Sequence, residues 1–336
     1  MHCPRLRHFT RLNHDGTFGR CGHMANAKGF QTHQKLEDSE WLKEMERLMS
    51  EGQWPHECIR CQRTEQVGGK SVRLASIDRD RLLRPLAEDY LVVGGVLDNV
   101  CNSACQTCNA NLSTKIGSLK SRDYVRTSNY EKFWDIPQDR IVELDVSGGE
   151  PTASKNYKEL LRSLPENVRI VRMNTNGSRI IPELELLLKN KIKVIVTLSL
   201  DGIGKIHDYV RWPITWYDYE KTVDRYLDLQ SRYKLLEIDT WTTVSCLNIN
   251  NLSSIIDYTG RRGLKHNWAF LEQPKSLNVK YSNVFTRMAK HLYPDQICVD
   301  DDNSHELGSF IRAQDQLRQI DHRDYFNFPL NFSKKS

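Results

Sequence analysis

Hydrophobic and polar positions change rhythm along the chain. Between Leu91 and Leu271, short runs rich in Val, Ile and Leu alternate with longer stretches whose apolar residues recur every three or four positions. The runs Leu91–Leu97, Ile141–Ser147, Val168–Met173, Lys193–Ser199, Glu237–Ser245 and Lys265–Leu271 predict strands covered on both faces. The stretches Lys155–Leu164, Pro182–Lys191, Tyr217–Tyr233 and Leu252–Arg262 predict helices, with Pro182 opening one and Gly263 stopping another. Strand–helix units in succession call for a parallel sheet with crossover helices. A full eight-unit barrel takes about 250 residues. The stretch here is shorter, so the expectation is an α/β fold, a partial (βα)6 barrel with parallel strands.

The flanks read differently. Residues 1–70 carry weak strand signals and one clear amphipathic helix, Ser39–Glu51, with Trp41, Met45, Leu48 and Met49 on one face and Gly52 as its stop. So few apolar residues make a weak core, and a small module of that kind usually needs a metal staple. Toward the C-terminus a helix is expected over about 309–320. An aromatic tail follows (Tyr325, Phe326, Phe328, Phe332) and is expected to pack back onto the body. The expected division is therefore a metal-stapled module at 1–88, the barrel at 89–275 and a helical extension at 276–336.

Composition narrows the class. The 336 residues are 39% hydrophobic and 27% charged, ordinary for a folded protein. No apolar run approaches the roughly 20 residues that span a bilayer. Met1–Thr10 has charges but no apolar stretch behind them, so it does not read as a signal peptide, and a cytoplasmic location is expected. The net charge of +5 is mixed along the chain rather than gathered in a stripe, so nucleic acid is not indicated.

Cysteine changes the picture most. There are nine, and in a reducing compartment such residues are more often metal ligands or catalytic groups than disulfides. Cys3, Cys21, Cys58 and Cys61 form one group; Cys101, Cys105 and Cys108 form another. Cys246 and Cys298 read as unligated thiols. The loop Asp98–Asn109, DNVCNSACQTCN, follows the first barrel strand with spacing C-x3-C-x2-C. Three thiolates on a short loop can each bind one iron of a cubane, leaving the fourth iron open to a small molecule. A zinc site borrowing a fourth ligand from elsewhere has a compatible spacing.

Further motifs close the next strands: DVSGGEPT at Asp145–Thr152, NTNG at Asn174–Gly177 and SLDG at Ser199–Gly202. Together with CNSACQTC, in this order, they resemble the radical S-adenosylmethionine superfamily over roughly residues 89–275. The resemblance implies that Cys101, Cys105 and Cys108 hold a [4Fe-4S] cluster whose open iron is chelated by S-adenosylmethionine. It implies that Gly148, Gly149, Glu150 and Pro151 hold the methionine amino group, where glycines admit close backbone approach. Ser199 and Asp201 fall where the family contacts ribose or carboxylate, with Asn174 and Asn176 on the same rim. Arg211, in HDYVRWP, is a candidate fork for the methionine carboxylate; the competing reading is a surface ion pair. The family usually has an aromatic residue before the third cysteine, whereas this chain has Thr107, so adenine packing is left to Asn109 or to an apolar residue of the fifth or sixth strand.

The N-terminal pattern also resembles half of a SPASM or twitch module, here placed before the barrel: Cys3 with Pro4, a turn at His14-Asp15-Gly16, Cys21, the helix, then Cys58 and Cys61. That implies an auxiliary [4Fe-4S] cluster on Cys3, Cys21, Cys58 and Cys61, with a four-cysteine zinc site as the alternative. The implied activity is reductive cleavage of S-adenosylmethionine to a 5′-deoxyadenosyl radical that takes hydrogen from a substrate. The electron would come from a donor such as a flavodoxin or ferredoxin. The expected substrate is a peptide or protein side chain, as in many twitch and SPASM relatives. The alternatives are a small metabolite, sugar or nucleotide derivative, or a zinc-stapled binding protein on a degenerate barrel. Cys246, Tyr209, Trp241 and His266 lie in or near strands as radical-quenching or acid–base candidates, Trp241 reading more simply as core packing.

Overall fold

A computed structural model describes residues 1–124, 126–281 and 304–326. Eight strands are formed: β1 (Phe9–Leu12), β2 (Phe18–Gly19), β3 (Leu91–Val96), β4 (Ile141–Ser147), β5 (Ile170–Thr175), β6 (Lys193–Ser199), β7 (Leu236–Val244) and β8 (Lys265–Phe270). β3 to β8 correspond to the expected barrel strands. The chain forms two compact units, one of Met1–Val100, Arg126–Met173 and Pro182–Val194, the other of Cys101–Val125, Asn174–Ile181 and Ile195–Ser336.

In the first unit the strand order is β2-β1-β3-β4-β5. β1 and β2 form an antiparallel hairpin in which Leu12 faces Phe18. Gly16, at φ +80°, closes the turn and donates to Asn13 O at 3.1 Å, as the Asp15-Gly16 pair predicts. β1 runs parallel to β3, pairing Thr10 with Val93, and β3 runs parallel to β4, pairing Gly94 with Asp145. The predicted helix over 39–51 is present as Glu40–Ser50. Ser39 caps it through Leu42 N–H, and Leu42, Met45 and Met49 are buried. These side chains join Leu6, Met24, Cys21 and Cys58 in one apolar cluster. A helix at Val72–Leu83, absent from the sequence reading, begins at the Ser71 cap.

Two expected boundaries shift. β5 starts at Ile170 rather than Val168, because Val168 N–H closes a turn onto Pro165 O at 3.0 Å. The helix expected from Pro182 spans only Leu184–Lys189, with Pro182 and Glu183 in the turn before it.

In the second unit β6, β7 and β8 follow in chain order, β7 and β8 pairing in parallel from Asp239↔Lys265 to Val244↔Phe270. Helices Trp216–Arg232 and Leu252–Arg261 follow β6 and β7. The C-terminal helix is Ser304–Arg318, and its Leu307 and Ile311 are buried with Val244, Cys246 and Leu277. Phe326 belongs to the same core and Tyr325 packs against it, as expected of the tail. Phe328, Phe332 and Cys298 lie outside the described residues. No helix among the described residues is long and apolar enough to cross a membrane.

Candidate active site

The three-cysteine loop lies in the second unit, and nearly every polar group around it is engaged. Cys101 N–H donates to Thr114 Oγ1 at 3.1 Å, and the same hydroxyl donates back to Cys101 O at 3.1 Å. Ser113 caps the Thr114–Lys120 helix and donates to Ser103 O at 2.6 Å. Cys101 Sγ accepts from Ser103 N–H at 3.4 Å. Asn176, named from NTNG as a rim residue, is buried, and its amide donates to Asn102 Oδ1 at 2.7 Å and Ser103 Oγ at 2.8 Å. Asn174 is exposed on β5. Asn109 Oδ1 accepts from Asn111 N–H and so caps the next turn. Cys105 is buried, whereas Cys101 and Cys108 are partly exposed. Burial pushes the Cys105 thiol up and the Cys108 thiol to about 11, so binding a cation there must supply the charge that releases their protons.

Asp201 is a hub in the same unit. Its Oδ1 accepts from Thr243 N–H at 2.8 Å, its Oδ2 faces Arg211 Nη1 at 3.0 Å, and its carbonyl accepts from Asn248 Nδ2 at 3.0 Å. Side-chain exposure is 11% for Arg211 and 3% for Asp201, which corrects the surface-pair reading of Arg211. Burial opposes the Arg211 charge, yet Cys105, once it is a thiolate, and the Asp201 carboxylate outweigh it and hold the guanidinium protonated. Arg211 Nε is buried without a hydrogen-bond partner. Ser199, on β6, is partly exposed.

In the first unit, Gly148 and Gly149 follow β4 at φ +87° and +60°, a conformation side chains resist. A Cβ on Gly149 would collide with the carbonyl of Val100, the residue preceding Cys101. Glu150 N–H donates to that carbonyl at 2.6 Å, and the buried Glu150 carboxylate accepts from Thr152 Oγ1 at 2.9 Å. Pro151 is buried. In the second unit, three thiols on one pinned loop fit a cluster, and the buried Arg211 nitrogen without a partner fits a carboxylate; in the first, the turn at Gly148 and Gly149 is one that only glycine fits.

The first unit also gathers Cys3, Cys21, Cys58 and Cys61 with Arg5, Arg73, Met49 and Trp54 around a small cleft. Cys21 Sγ accepts from Arg5 Nη1 at 3.7 Å and from His23 N–H at 3.4 Å. Burial pushes the Cys3 thiol to about 11 and the Cys58 thiol to about 12. Among the described residues, the one group of three or more His, Cys, Asp or Glu ligand atoms within 4.8 Å of one another is Asp315, Asp321 and His322.

The other sequence candidates serve packing or local bonds. Cys246 is core, Tyr209 OH donates to Asp315 Oδ1 at 2.8 Å, and His266 Nδ1 lies 2.8 Å from Thr240 Oγ1. Trp241 is 41% exposed, so the core reading of it is corrected: it sits on the open face of β7. Sequence reasoning missed Thr114, Ser103 and Arg318, whose Nε donates to Ala104 O at 2.8 Å across 214 residues of chain.

Part of the chain is similar to known proteins. The mycofactocin maturase MftC of Mycolicibacterium smegmatis is 30% identical over 116 residues, 34% of this chain and 29% of that protein. The antilisterial bacteriocin subtilosin biosynthesis protein AlbA of Bacillus subtilis is 28% identical over 118 residues, 34% of this chain and 25% of that protein. The matched stretch thus spans less than a third of either curated relative. The structure of Streptococcus suis SuiB bound to S-adenosylmethionine is similar at 13% identity and a TM-score of 0.42, covering 85% of this chain and 66% of that one. Residues 97–248, from the end of the strand before the cysteine loop to Asn248 of the Asp201 hub, match the Radical SAM superfamily.

Proposed function

We propose that this chain is an enzyme that cleaves S-adenosylmethionine reductively on a [4Fe-4S] cluster held by Cys101, Cys105 and Cys108, and that it modifies a peptide or protein side chain. The observation that carries the reading is the pinned cysteine loop within the matched family segment. Cys101, Cys105 and Cys108 would hold the cluster, which with S-adenosylmethionine and an electron from a flavodoxin- or ferredoxin-like donor would supply radical hydrogen abstraction at a substrate C–H bond.

The chain's own residues bind and orient. Gly148, Gly149, Glu150 and Pro151 offer a turn open to an ammonium group. The buried Arg211 offers its free Nε edge to a carboxylate, oriented by Asp201. Ser199 and Asn174 keep exposed polar groups for the ribose, while Asn176 acts through the loop it holds. A peptide substrate is supported by the relatives, one named for mycofactocin maturation and one for bacteriocin biosynthesis. For Cys3, Cys21, Cys58 and Cys61, which line one cleft, an auxiliary [4Fe-4S] cluster is the proposed occupant, with zinc as the alternative.

The test is iron, sulfide and zinc content of anaerobically purified protein, beside a variant with Cys101, Cys105 and Cys108 all changed to Ala. About eight iron falling to about four, with 5′-deoxyadenosine released only by the wild type under a low-potential reductant, is the expected result. Zinc without labile sulfide would refute it.

A further inference from the structure

The C-terminal helix reaches the cluster loop through one buried cation. Arg318 is 4% exposed. Its Nε donates to Ala104 O at 2.8 Å, its Nη2 to Cys105 O at 3.4 Å and its Nη1 to Gln314 Oε1 at 2.5 Å. The same tripeptide is tied from its other side: Ala104 N–H donates to Trp212 O at 2.8 Å and Gln106 N–H to Val210 O at 2.9 Å. Gln106 Nε2 adds a bond to Tyr209 O at 3.3 Å. Cys105, between them, has its backbone fixed on both flanks.

The helix is itself firmly seated. Asp315 Oδ1 accepts from Tyr209 OH at 2.8 Å, and Asp315 Oδ2 accepts from His322 N–H at 3.1 Å and faces His322 Nδ1 at 2.7 Å. Among the described residues no carboxylate forms an ion pair with Arg318; its partners are neutral carbonyls and an amide. A buried charge without a direct ion pair is costly. The anionic groups that favour it include the Cys105 and Cys108 sulfurs once deprotonated and Asp315, one turn back on the same helix.

We propose that Arg318 is a positioning residue for the three-cysteine loop. It fixes Cys105 before a cluster is loaded, and it supplies positive charge to the thiolate-bound cluster afterwards. The inference rests on Cys101, Cys105 and Cys108 being cluster ligands, and the charge and hydrogen bonds beside such a cluster set its potential and its retention.

The experiment compares R318Q and R318K with R312Q, which removes an exposed charge from the same helix. Anaerobically reconstituted proteins are assayed for iron and sulfide, for the rate of iron loss to a chelator, and for the midpoint potential of the paramagnetic signal that changes on adding S-adenosylmethionine. R318Q is expected to lose that cluster's iron several-fold faster and to shift its midpoint to more negative potential, with R312Q matching wild type. R318K is expected to keep the midpoint near wild type but to lose iron faster, because an ammonium cannot reproduce the fork. A wild type with no cluster on the loop would refute the cluster reading. A wild type with the cluster and an R318Q indistinguishable from R312Q would refute the role of Arg318. If R318Q does not fold, R318K decides: iron loss at the wild-type rate refutes the clasp.

Discussion

Arg211 and Asp201 form a buried ion pair, Nη1 to Oδ2 at 3.0 Å, in which the aspartate is also held by Thr243 N–H. Arg211→Gln would leave the Asp201 carboxylate buried with one charged partner fewer. Breaking such a pair costs about 3–5 kcal/mol. Urea unfolding of cluster-free protein should show a loss in that range, and a loss below about 1 kcal/mol would show the pair to be solvated.

Gly149→Ala is expected to be worse than Gly52→Ala. Both glycines have positive φ, which costs a side chain about 1–2 kcal/mol. Around Gly52 nothing lies within 4 Å, whereas at Gly149 the new methyl meets the Val100 carbonyl. Overpacking adds about 1–3 kcal/mol. Thermal unfolding of the two variants measures the difference, and equal destabilisation would show that the turn yields.

Arg5→Gln tests the N-terminal cysteine group. Ser76 Oγ accepts from Arg5 Nε at 3.1 Å and the guanidinium lies 4.0 Å over the Phe9 ring, which aims it at Cys21. With a cluster present, loss of this charge and hydrogen bond should move its midpoint to more negative potential. Arg7→Gln, an exposed residue paired with Glu46, removes the same charge without that contact and should leave the potential unchanged. Redox titration of both variants is the measurement.

His207 makes stability depend on pH. Burial, and then the Arg211 charge, lower its pKa from 6.5 to about 3, while its ring packs against Tyr219 at 4.6 Å. Between these two values the unfolded chain binds the proton and the folded chain does not, so stability rises with pH. The contribution is present above about pH 6.5 and is lost as pH falls toward 3. Urea midpoints should fall from pH 7 to pH 5, and less so in His207→Phe; equal slopes would show that His207 is not the group.

Local signals explain what was legible. The period of the apolar residues located β3 to β8, because strands covered on both faces need continuous branched side chains. The boundary of β5 was not legible, because its first ladder position was taken by a turn that Pro165 closes. The helix Val72–Leu83 was missed because the residues it buries are mostly polar, Ser76 and Asp80 beside Leu83, and Arg79 on it is held by Glu143 and Asp145 rather than by hydrophobic packing. Trp241 was misread because aromatic residues suit strands on either face, and only the packing of β7 decides which face is covered.

By itself the sequence determined the chemistry that lies within a few residues of chain: three thiols at C-x3-C-x2-C, a turn that requires glycine at Gly149, and Asp201 and Arg211 ten positions apart. Their spacing carries the meaning because thiolate ligation and left-handed backbone are local requirements. Tertiary structure alone decided that Asn176 holds the cysteine loop rather than lining a rim, and that Arg318 closes on Ala104. Buried polar groups must find partners wherever the fold brings them, and no periodicity in the chain records which carbonyl a distant guanidinium will meet.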